Sequence, residues 1–301
     1  MKAGVPLKRA RDSVSSLVAQ MVRTVPVLQR PYAVAAFACS HVPGVHTVFR
    51  EATRNLSRQL RDSGQNIRPV RIGAVRLLFD VTDFTVQGRY FSRVAYEPGA
   101  TATVLSLAPG QVFIDVGANS GYFTILAGAR VGPEGRVLAF EPNPVVRRRL
   151  LRHVDVNRMN DRVRVFDTAI ADRDADAVSL FISCRTDNSG LSSLAPSSAA
   201  LASGELSRDV KVPVRTSRFD SWMRTAPVSR IDMLKIDIEG AELAALHGMR
   251  RTLDRFRPCT IVCETHEDGP AVEFLRTYGY RVSVLDRIPG GVPNLLFEVE
   301  S

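Results

Sequence analysis

The sequence of 301 residues contains little cysteine. Its four cysteines form no C-x-x-C pair and have no ligand-like spacing with the five histidines; they are Cys39, Cys184, Cys259 and Cys263. This pattern argues against a zinc site and favours a reducing compartment. Cys259 and Cys263 belong to one apolar segment, so we expect both to pack on the same buried side of a strand.

The sequence also lacks a long apolar run. The longest uncharged stretch, residues 31–49, is interrupted by Pro43 and Gly44 and is not a continuous span of the kind that a bilayer requires. The first thirty residues carry Arg11, Arg23 and Arg30 and have no compact apolar core before a cleavage site. We therefore expect a cytoplasmic protein without a transmembrane helix or a cleaved signal.

Positive charge is unevenly distributed along the chain. The net charge is +9, and residues 1–71 hold 12 of the 40 basic and 3 of the 31 acidic residues, which leaves 28 of each sign in residues 72–301. A neutral main domain argues against a nucleic-acid substrate. For residues 1–69 we predict a basic, mainly helical extension. Residues 1–71 are a candidate for peripheral contact with an anionic membrane at its inner face.

The main domain is predicted over residues 70–301. A hairpin and a helix occupy residues 70–110, and from residue 111 strands and helices alternate at spacings suited to parallel crossovers. The predicted elements include a helix over residues 241–253 and strands over residues 163–169, 260–264, 280–286 and 294–299. The Ser-rich segment 183–207 interrupts this alternation and is predicted as a long loop, a type of segment that often serves as a functional lid. The sequence therefore predicts an α/β fold.

A glycine-rich turn follows the first strand of the alternating region. The run D-V-G-A-N-S-G, from Asp115 to Gly121, joins an apolar strand to a helix, where glycines allow a sharp turn and a close approach to a ligand. Such turns occur in binders of nucleotides, flavins and methyl donors. Asp115 favours a cationic ligand amine over a pyrophosphate, which argues against a nicotinamide-dependent oxidoreductase.

Two further acidic residues end the next two strands. Glu141, twenty residues after Gly121, is placed to accept hydrogen bonds from the ribose hydroxyls of a nucleoside. Asp167 ends the third strand, where it either accepts from an adenine amino group or lies in a solvated turn. These positions extend the predicted cofactor site along one edge of the sheet.

A dense polar group lies further along the chain. By two-residue alternation, a buried strand is expected to carry Lys235, Asp237 and Glu239 on one face, and Glu264 and His266 end a neighbouring strand. Such groups either deprotonate a substrate hydroxyl or hold a divalent cation that does so. We favour Asp237 or His266 as the base without a metal; the alternative is a metal held by Asp237, Glu239 and Glu264.

Four ordered motifs resemble the FkbM family of S-adenosylmethionine-dependent methyltransferases over roughly two thirds of the chain. They are F-I-D-V-G-A-N-S-G-Y-F-T, L-A-F-E-P-N-P, M-L-K-I-D-I-E-G-A-E-L and I-V-C-E-T-H. The resemblance implies a class I methyltransferase fold: a seven-stranded, Rossmann-like sheet, mostly parallel, with an antiparallel last strand. It also implies O-methylation of a hydroxyl on a sugar, a glycolipid or a polyketide-type natural product.

The resemblance also implies roles for individual residues. The turn residues would contact the methionine side of the cofactor, namely Asp115, Gly117, Asn119 and Gly121, and Glu141 would contact the ribose. The acceptor would be faced by Lys235, Asp237, Glu239 and His266. The segment D-N-S-G-L-S-S-L resembles the family's Ser-rich stretch, so Asn188, Ser189 and Ser192 either close over the site or form a surface turn.

A second hypothesis comes from a different class of protein. A catalytically silent chain with the same fold would act as a scaffold, and its basic N-terminal segment would tether a partner or a membrane. Binding of S-adenosylmethionine separates this scaffold from an enzyme.

Overall fold

The computed structural model describes residues 60–62, 64, 66–80, 96–183, 191–196, 201–202, 206–225, 228–287 and 291–299. The chain divides into two compact units, and the larger comprises Arg71–Arg76, Glu97–Arg185 and Ser189–Ser301. The features described below belong to this larger unit, apart from the outer parts of the first two strands. The helical extension predicted for residues 1–69 lies almost wholly outside the described residues and stays a prediction.

The described elements alternate in the order expected of an α/β protein. The first described strands, β1 (Ile67–Ile72) and β2 (Val75–Asp80), form a two-stranded sheet. The elements of the main fold then follow: α1 (Pro98–Leu105), β3 (Val112–Val116), α2 (Tyr122–Val131), β4 (Arg136–Phe140), α3 (Pro144–Val156), β5 (Val163–Phe166), β6 (Thr168–Ile170), β7 (Ala175–Ser183), β8 (Ser192–Ser193), β9 (Leu206–Ser217), α4 (Phe219–Trp222), β10 (Met233–Ile236), α5 (Glu242–His247), α6 (Arg250–Phe256), β11 (Thr260–Glu264), α7 (Pro270–Thr277), β12 (Tyr280–Asp286) and β13 (Asn294–Val299).

The main sheet has seven strands in the order β12-β13-β11-β10-β3-β4-β5. β3 pairs in parallel with β4 on one side and with β10 on the other, whereas β13 runs antiparallel to both β11 and β12. The strand order therefore reverses between β3 and β10, and in open α/β sheets ligands bind at the carboxyl ends of the strands at such a point. This arrangement confirms the predicted fold class.

A second sheet was not predicted. The continuous strand expected over residues 163–169 is divided into β5 and β6, and β6 joins a four-stranded sheet in the order β6-β9-β7-β8. β8 and the start of β9 fall inside the segment that was predicted to be a loop. The structure thus anchors part of this segment, while Asn188 and Ser189 lie outside the described residues.

Both faces of the main sheet bury apolar residues, but the charged residues of β3 and β10 lie on only one face. Alternate residues of β3, from Val112 to Val116, pack in an apolar cluster with residues of α4 to α7. The opposite face carries Asp115 and Lys235, which are strand neighbours in the register between β3 and β10. Cys263 is buried in the apolar cluster, but Cys259 is exposed because β11 begins only at Thr260, so the predicted burial of Cys259 was wrong.

The first helix of the main fold is capped by a distant residue. The two carboxylate oxygens of Asp286, at the end of β12, accept hydrogen bonds from Gly99 N at 2.7 Å and Ala100 N at 2.8 Å. These amides belong to the first turn of α1, whose N–H groups have no partner within the helix. A strand end 186 residues later in the chain thus completes the start of α1.

The helix predicted from residue 241 to 253 is two helices, α5 and α6, separated at Gly248. A Cβ on Gly248 would lie 2.0 Å from the carbonyl oxygen of Ala171, so the chain passes too close to a neighbouring segment for any other residue. Nowhere in the described part of the chain is a helix long and apolar enough to cross a bilayer.

Candidate functional site

The glycine-rich turn between β3 and α2 is held mainly by protein contacts. Gly117 N and Ala118 N both donate to Phe140 O at 3.0 Å, which joins the turn to the end of β4. Gly117 has a φ of 84°, and a Cβ there would lie 1.8 Å from Asp237 O. Gly121 has a φ of 93°, and its Cβ would lie 2.3 Å from Leu150 Cδ1. The glycines therefore allow neighbouring segments to approach each other, a role beyond the predicted approach to a ligand.

Asp115 is buried at the end of β3, and one of its carboxylate oxygens is buried without a hydrogen-bond partner in the described part of the chain. Its Oδ2 accepts a hydrogen bond from Thr124 Oγ1 at 2.6 Å, whereas its buried Oδ1 has no hydrogen-bond partner among the described residues. Burial raises the pKa of Asp115, although the neighbouring Lys235 charge opposes this increase. A buried acceptor without a partner costs free energy, and a donor from a bound molecule would remove that cost.

Glu141 is buried one residue beyond β4 and binds the turn. Its Oε2 accepts from Asn119 N at 2.8 Å and its Oε1 accepts from Asn143 N at 2.7 Å. Asn119 has a φ of 51°, a conformation that directs its amide to this carboxylate. Burial raises the pKa of Glu141 to about 7 despite these two hydrogen bonds. Each carboxylate oxygen has a second lone pair that remains available to a ligand hydroxyl.

Two other predicted residues lie near the ends of these strands. Asp167 is exposed between β5 and β6. Ser192 accepts a hydrogen bond at its Oγ from Asn143 Nδ2 at 3.0 Å, so β8 is joined to the segment that follows Glu141. The Ser-rich stretch therefore contacts the edge of the predicted cofactor site.

Lys235 is buried on the face of the sheet that also carries Asp115. Its side chain is 2% exposed, and its Nζ donates to Asp237 Oδ2 at 2.7 Å and lies 4.6 Å from the centre of the Phe123 ring. Burial acts against the charge of Lys235, but Asp237, Glu97 and Asp115 together raise its pKa above the ordinary value. Lys235 is therefore a buried cation surrounded by carboxylates.

Asp237 and Glu264 form a carboxyl pair beside this cation. A hydrogen bond joins their side chains, which requires one proton between the two groups. Burial and the charge of Asp237 raise the pKa of Glu264 to about 12. Burial disfavours ionisation of Asp237 too, but Lys235 and the hydrogen bond from Glu264 lower its pKa below the usual value. Lys235 thus determines which carboxyl is ionised.

Glu239 lies beside this carboxyl pair, but strand alternation, the predicted reason, does not place it there. β10 ends at Ile236, so strand alternation does not extend to Glu239, which is exposed in a turn with a φ of 55°. Its carbonyl oxygen accepts from Ser193 Oγ at 2.7 Å, and Gly240 N donates to Glu242 Oε1 at 2.9 Å. This left-handed turn nevertheless brings the Glu239 carboxylate to the carboxyl pair.

The carboxylates of Asp237, Glu239 and Glu264 could in principle hold a metal ion, since one oxygen from each lies within 4.8 Å of the others. Asp237 is already paired with Lys235, and Glu264 donates its proton to Asp237. A cation would have to displace that proton to use all three ligands. The charges of the group are therefore largely compensated by protein groups.

His266 lies in the turn after β11 and is exposed. Its described contact is through the backbone, where its carbonyl oxygen accepts from Gly269 N at 2.9 Å. The structure thus brings together Asp115, Lys235, Asp237 and Glu264 and leaves His266 at the solvent-exposed margin.

Several polar residues of the site were missed from the sequence. Thr124 binds Asp115, the buried Glu97 contributes to the charge balance of Lys235, and His153 Nδ1 lies 2.7 Å from Ser120 O in the turn. Ser193 and Glu242 hold the Glu239 turn. The only signal available was their polarity within apolar segments, because each contact joins residues distant along the chain or crosses a turn whose form was not predicted.

Comparisons with known proteins agree with this geometry. A family model described as "Methyltransferase FkbM domain" matches residues 115–282, more than half of the chain. The synthetase AmbE of Pseudomonas aeruginosa is 28% identical over 59% of the chain and 10% of its own length. The 2-O-methyltransferase NoeI of Sinorhizobium fredii is 29% identical over 50% of the chain and 61% of its own length. The 31-O-demethyl-FK506 methyltransferase FkbM of Streptomyces tacrolimicus is 30% identical over 59% of the chain and 75% of its length.

The matches to AmbE and NoeI span less than two thirds of the length of either relative. The family model, in contrast, covers the glycine-rich turn, Glu141, the Lys235–Asp237 pair and the end of β11 in one continuous match. Together with the strand order of the main sheet, this match identifies the chain as a member of the FkbM family of S-adenosylmethionine-dependent methyltransferases.

Proposed function

We propose that this chain transfers the methyl group of S-adenosylmethionine to a hydroxyl oxygen of a sugar, a glycolipid or a polyketide-type natural product. Two similar proteins carry names that specify methylation at oxygen, the 2-O-methyltransferase NoeI and the 31-O-demethyl-FK506 methyltransferase. These names support oxygen as the acceptor atom. The two names specify different acceptor molecules, so the proposal covers a broad class of acceptors.

The cofactor would be held by the turn from Asp115 to Gly121 and by Glu141. The Oδ1 of Asp115, which has no hydrogen-bond partner among the described residues, suits the cationic amine of the methionine portion. Glu141 retains lone pairs for ribose hydroxyls. Asp167, exposed at the next strand end, would accept from the adenine amino group. When bound, S-adenosylmethionine supplies a methyl group on a positively charged sulfur, which is already activated for transfer.

The observation that carries the proposal is the position of Asp237, which is paired with Lys235 beside the glycine-rich turn. Its carboxylate is 19% exposed, and Lys235 and Glu264 hold it in place. A hydroxyl oxygen becomes strongly acidic as it gains a methyl group, so even a carboxylate with a low pKa is basic enough to accept its proton. Asp237 would therefore orient the acceptor hydroxyl and take its proton, with His266 as the alternative base.

This assignment is tested by methyl transfer from a labelled donor to candidate glycolipid acceptors. Asp237→Asn keeps the shape of the side chain but removes the base, and we expect turnover to fall by about 10²–10⁴-fold. Asp172→Asn, at an exposed position, is the matched control and should leave turnover unchanged. Undiminished turnover in both Asp237→Asn and His266→Ala would refute the proposed roles.

Metal dependence is tested with the same assay. Because protein groups compensate the charges of Asp237 and Glu264, we expect turnover to survive dialysis against a chelator. Loss of turnover that Mg²⁺ or Mn²⁺ restores would instead favour a cation held by Asp237, Glu239 and Glu264.

Calorimetric titration with S-adenosylmethionine separates an enzyme from a scaffold. We expect the wild-type protein to bind the cofactor and Glu141→Ala to bind it much more weakly, since that variant loses both the ligand contact and two hydrogen bonds of the turn. Absence of binding by the wild-type protein at millimolar cofactor would favour the catalytically silent scaffold.

A further inference from the structure

Helix α3 presents an unusual solvent-exposed face. Its inner side packs through the buried residues Val146, Leu150, His153 and Val154. At 100° per residue, the opposite side carries one exposed stripe, which we call the α3 outer face: Val145, Arg148, Arg152, Asp155 and Val156. This stripe combines arginines with aliphatic residues on a single helix.

The aliphatic residues of this region are unusually exposed. Val145 is 45% exposed, Val156 is 38% exposed, and Leu151, beside the stripe, is 43% exposed. Among the described residues only Ile67 and Leu105 are comparable large apolar side chains with such exposure. Exposed aliphatic side chains concentrated on one helix indicate a surface that is covered under some condition.

The charge of this region is equally concentrated. Residues 144–164 contain seven arginines and two aspartates, although residues 72–301 are neutral as a whole. Arg148 Nε donates to Pro144 O within its own helix, and the described residues include no carboxylate paired with Arg148 or Arg152. These guanidinium groups are therefore available to anions.

We propose that the α3 outer face docks on an anionic lipid membrane. Arginines bind lipid phosphates at the surface, and the aliphatic residues between and beside them enter the interfacial layer. A nucleic acid would use the arginines but would leave Val145, Leu151 and Val156 in water, so the mixture of the two residue types favours lipid.

The position of α3 relates this surface to the candidate site. Asn143 forms the N-cap of α3 and donates through its backbone N to Glu141. A membrane bound along α3 would therefore lie beside the strand end that carries Glu141. The proposal concerns a second surface and does not depend on the proposed methyl transfer.

Flotation of the full chain with lipid vesicles tests the proposal. We expect binding to vesicles that contain phosphatidylglycerol and little binding to pure phosphatidylcholine. Arg148→Glu combined with Arg152→Glu should weaken binding at least about tenfold, since each surface arginine contributes about fivefold. The control pair Arg173→Glu and Arg215→Glu makes the same charge change at exposed positions elsewhere and should weaken binding less than about threefold.

A second variant tests the apolar part of the surface. Val145→Ser, Leu151→Ser and Val156→Ser together should reduce the binding that persists at high salt, where charge is screened. Circular dichroism and thermal unfolding verify that each variant is folded. Vesicle binding that equals wild type in the Arg148 and Arg152 variant would overturn the proposal and assign any membrane contact to residues 1–71. Binding of a nucleic-acid duplex without binding of vesicles would overturn it as well.

Discussion

Glu264 donates a hydrogen bond to Asp237, and Lys235, two residues before Asp237, donates to the same carboxylate. Two carboxyl groups on neighbouring strands thus share one proton, and the cation keeps the charge on Asp237. Asp237 is the more exposed member of its ion pair with Lys235: the Asp237 side chain is 19% exposed, whereas that of Lys235 is 2% exposed. Of the two paired carboxyl groups, Asp237 is the one that presents an ionised carboxylate to a substrate.

Replacement of Glu264 by glutamine tests its protonation. Burial and the neighbouring Asp237 charge raise the pKa of Glu264 far above the ordinary carboxyl value in the folded protein, so it stays protonated through neutral pH, whereas the unfolded chain releases this proton near its ordinary pKa. The unfolded state therefore binds fewer protons, and this group makes stability fall as pH rises, by at most about 1.4 kcal/mol per pH unit. Glutamine is neutral and still donates a hydrogen bond, but it does not titrate. The unfolding free energy of Glu264→Gln should therefore fall less than that of the wild type between pH 6 and 9.

Urea unfolding of both proteins across that pH range measures the difference. Glu298→Gln, which removes an exposed carboxylate of the same type, is the control and should follow the wild-type profile. Parallel pH profiles for wild type and Glu264→Gln would contradict the assignment of the proton to Glu264.

The cofactor contact of Glu141 should depend on pH. Burial raises the pKa of Glu141 to about 7, so the group changes from a carboxylic acid to a carboxylate near neutrality. A carboxylate is the better acceptor for ribose hydroxyls, and we expect affinity for S-adenosylmethionine to rise between pH 6 and 8. Glu141→Gln should bind more weakly at pH 8 and lose this dependence. Calorimetric titration at three pH values measures the effect, and an unchanged slope in the variant would assign the titration to another group.

The same pKa has a consequence for stability. The folded pKa of Glu141 lies above the unfolded value, so its contribution is fully present below about pH 4.5 and is lost as pH rises through about 7. Bound cofactor should offset part of this loss, because ligand that binds only the folded state stabilises it.

Gly117 should tolerate no side chain. Gly117→Ala combines a φ of 84° with a Cβ placed 1.8 Å from Asp237 O, and we expect a loss of about 3 kcal/mol or more of unfolding free energy. Gly110→Ala is the matched control: Gly110 also has a φ of 84°, but no atom lies within 4 Å of its added Cβ. The control should cost about 1–2 kcal/mol from backbone strain alone. Equal losses in the two variants would show that the approach to Asp237 is unimportant.

Removal of the buried cation should destabilise the main sheet. Lys235→Met preserves the length of the side chain but leaves Asp237 and Asp115 without their neighbouring positive charge, and we expect a loss of about 3–5 kcal/mol. Lys211→Met, at an exposed position, should change stability by less than about 0.5 kcal/mol. Chemical denaturation measures both. A loss in Lys235→Met no greater than in the control would mean that the carboxylates do not depend on this cation.

The sequence predicted the main sheet well because its strands are short apolar runs bounded by turn residues. The predicted bounds of β11, β12 and β13 agree with the structure, and the seven-stranded sheet with an antiparallel last strand is the one that the family resemblance implied. The second sheet was missed because its strands are partly polar and pair across distant segments. Periodicity detects the burial of one element and carries little information about its partner.

The sequence predicted which residues belong to the candidate site better than it predicted how they are arranged. Alternation placed Lys235 and Asp237 on one face, and the ion pair between them agrees with that. It failed at Glu239, because the strand ends at Ile236 and a left-handed turn determines where the carboxylate lies. The shared proton of Glu264 was beyond the sequence, since its pKa depends on the distance to Asp237 and on burial.

Asp286 caps the first turn of α1 from a position 186 residues further along the chain. During synthesis, α1 leaves the ribosome long before its cap exists, and at about 5–20 residues per second the delay is on the order of ten seconds or more. Until then the Gly99 and Ala100 amides have only water as a partner. The start of α1 therefore becomes fixed late, when β12 adds to the sheet, and this first helix is expected to be among the last parts of the fold to acquire protection from hydrogen exchange.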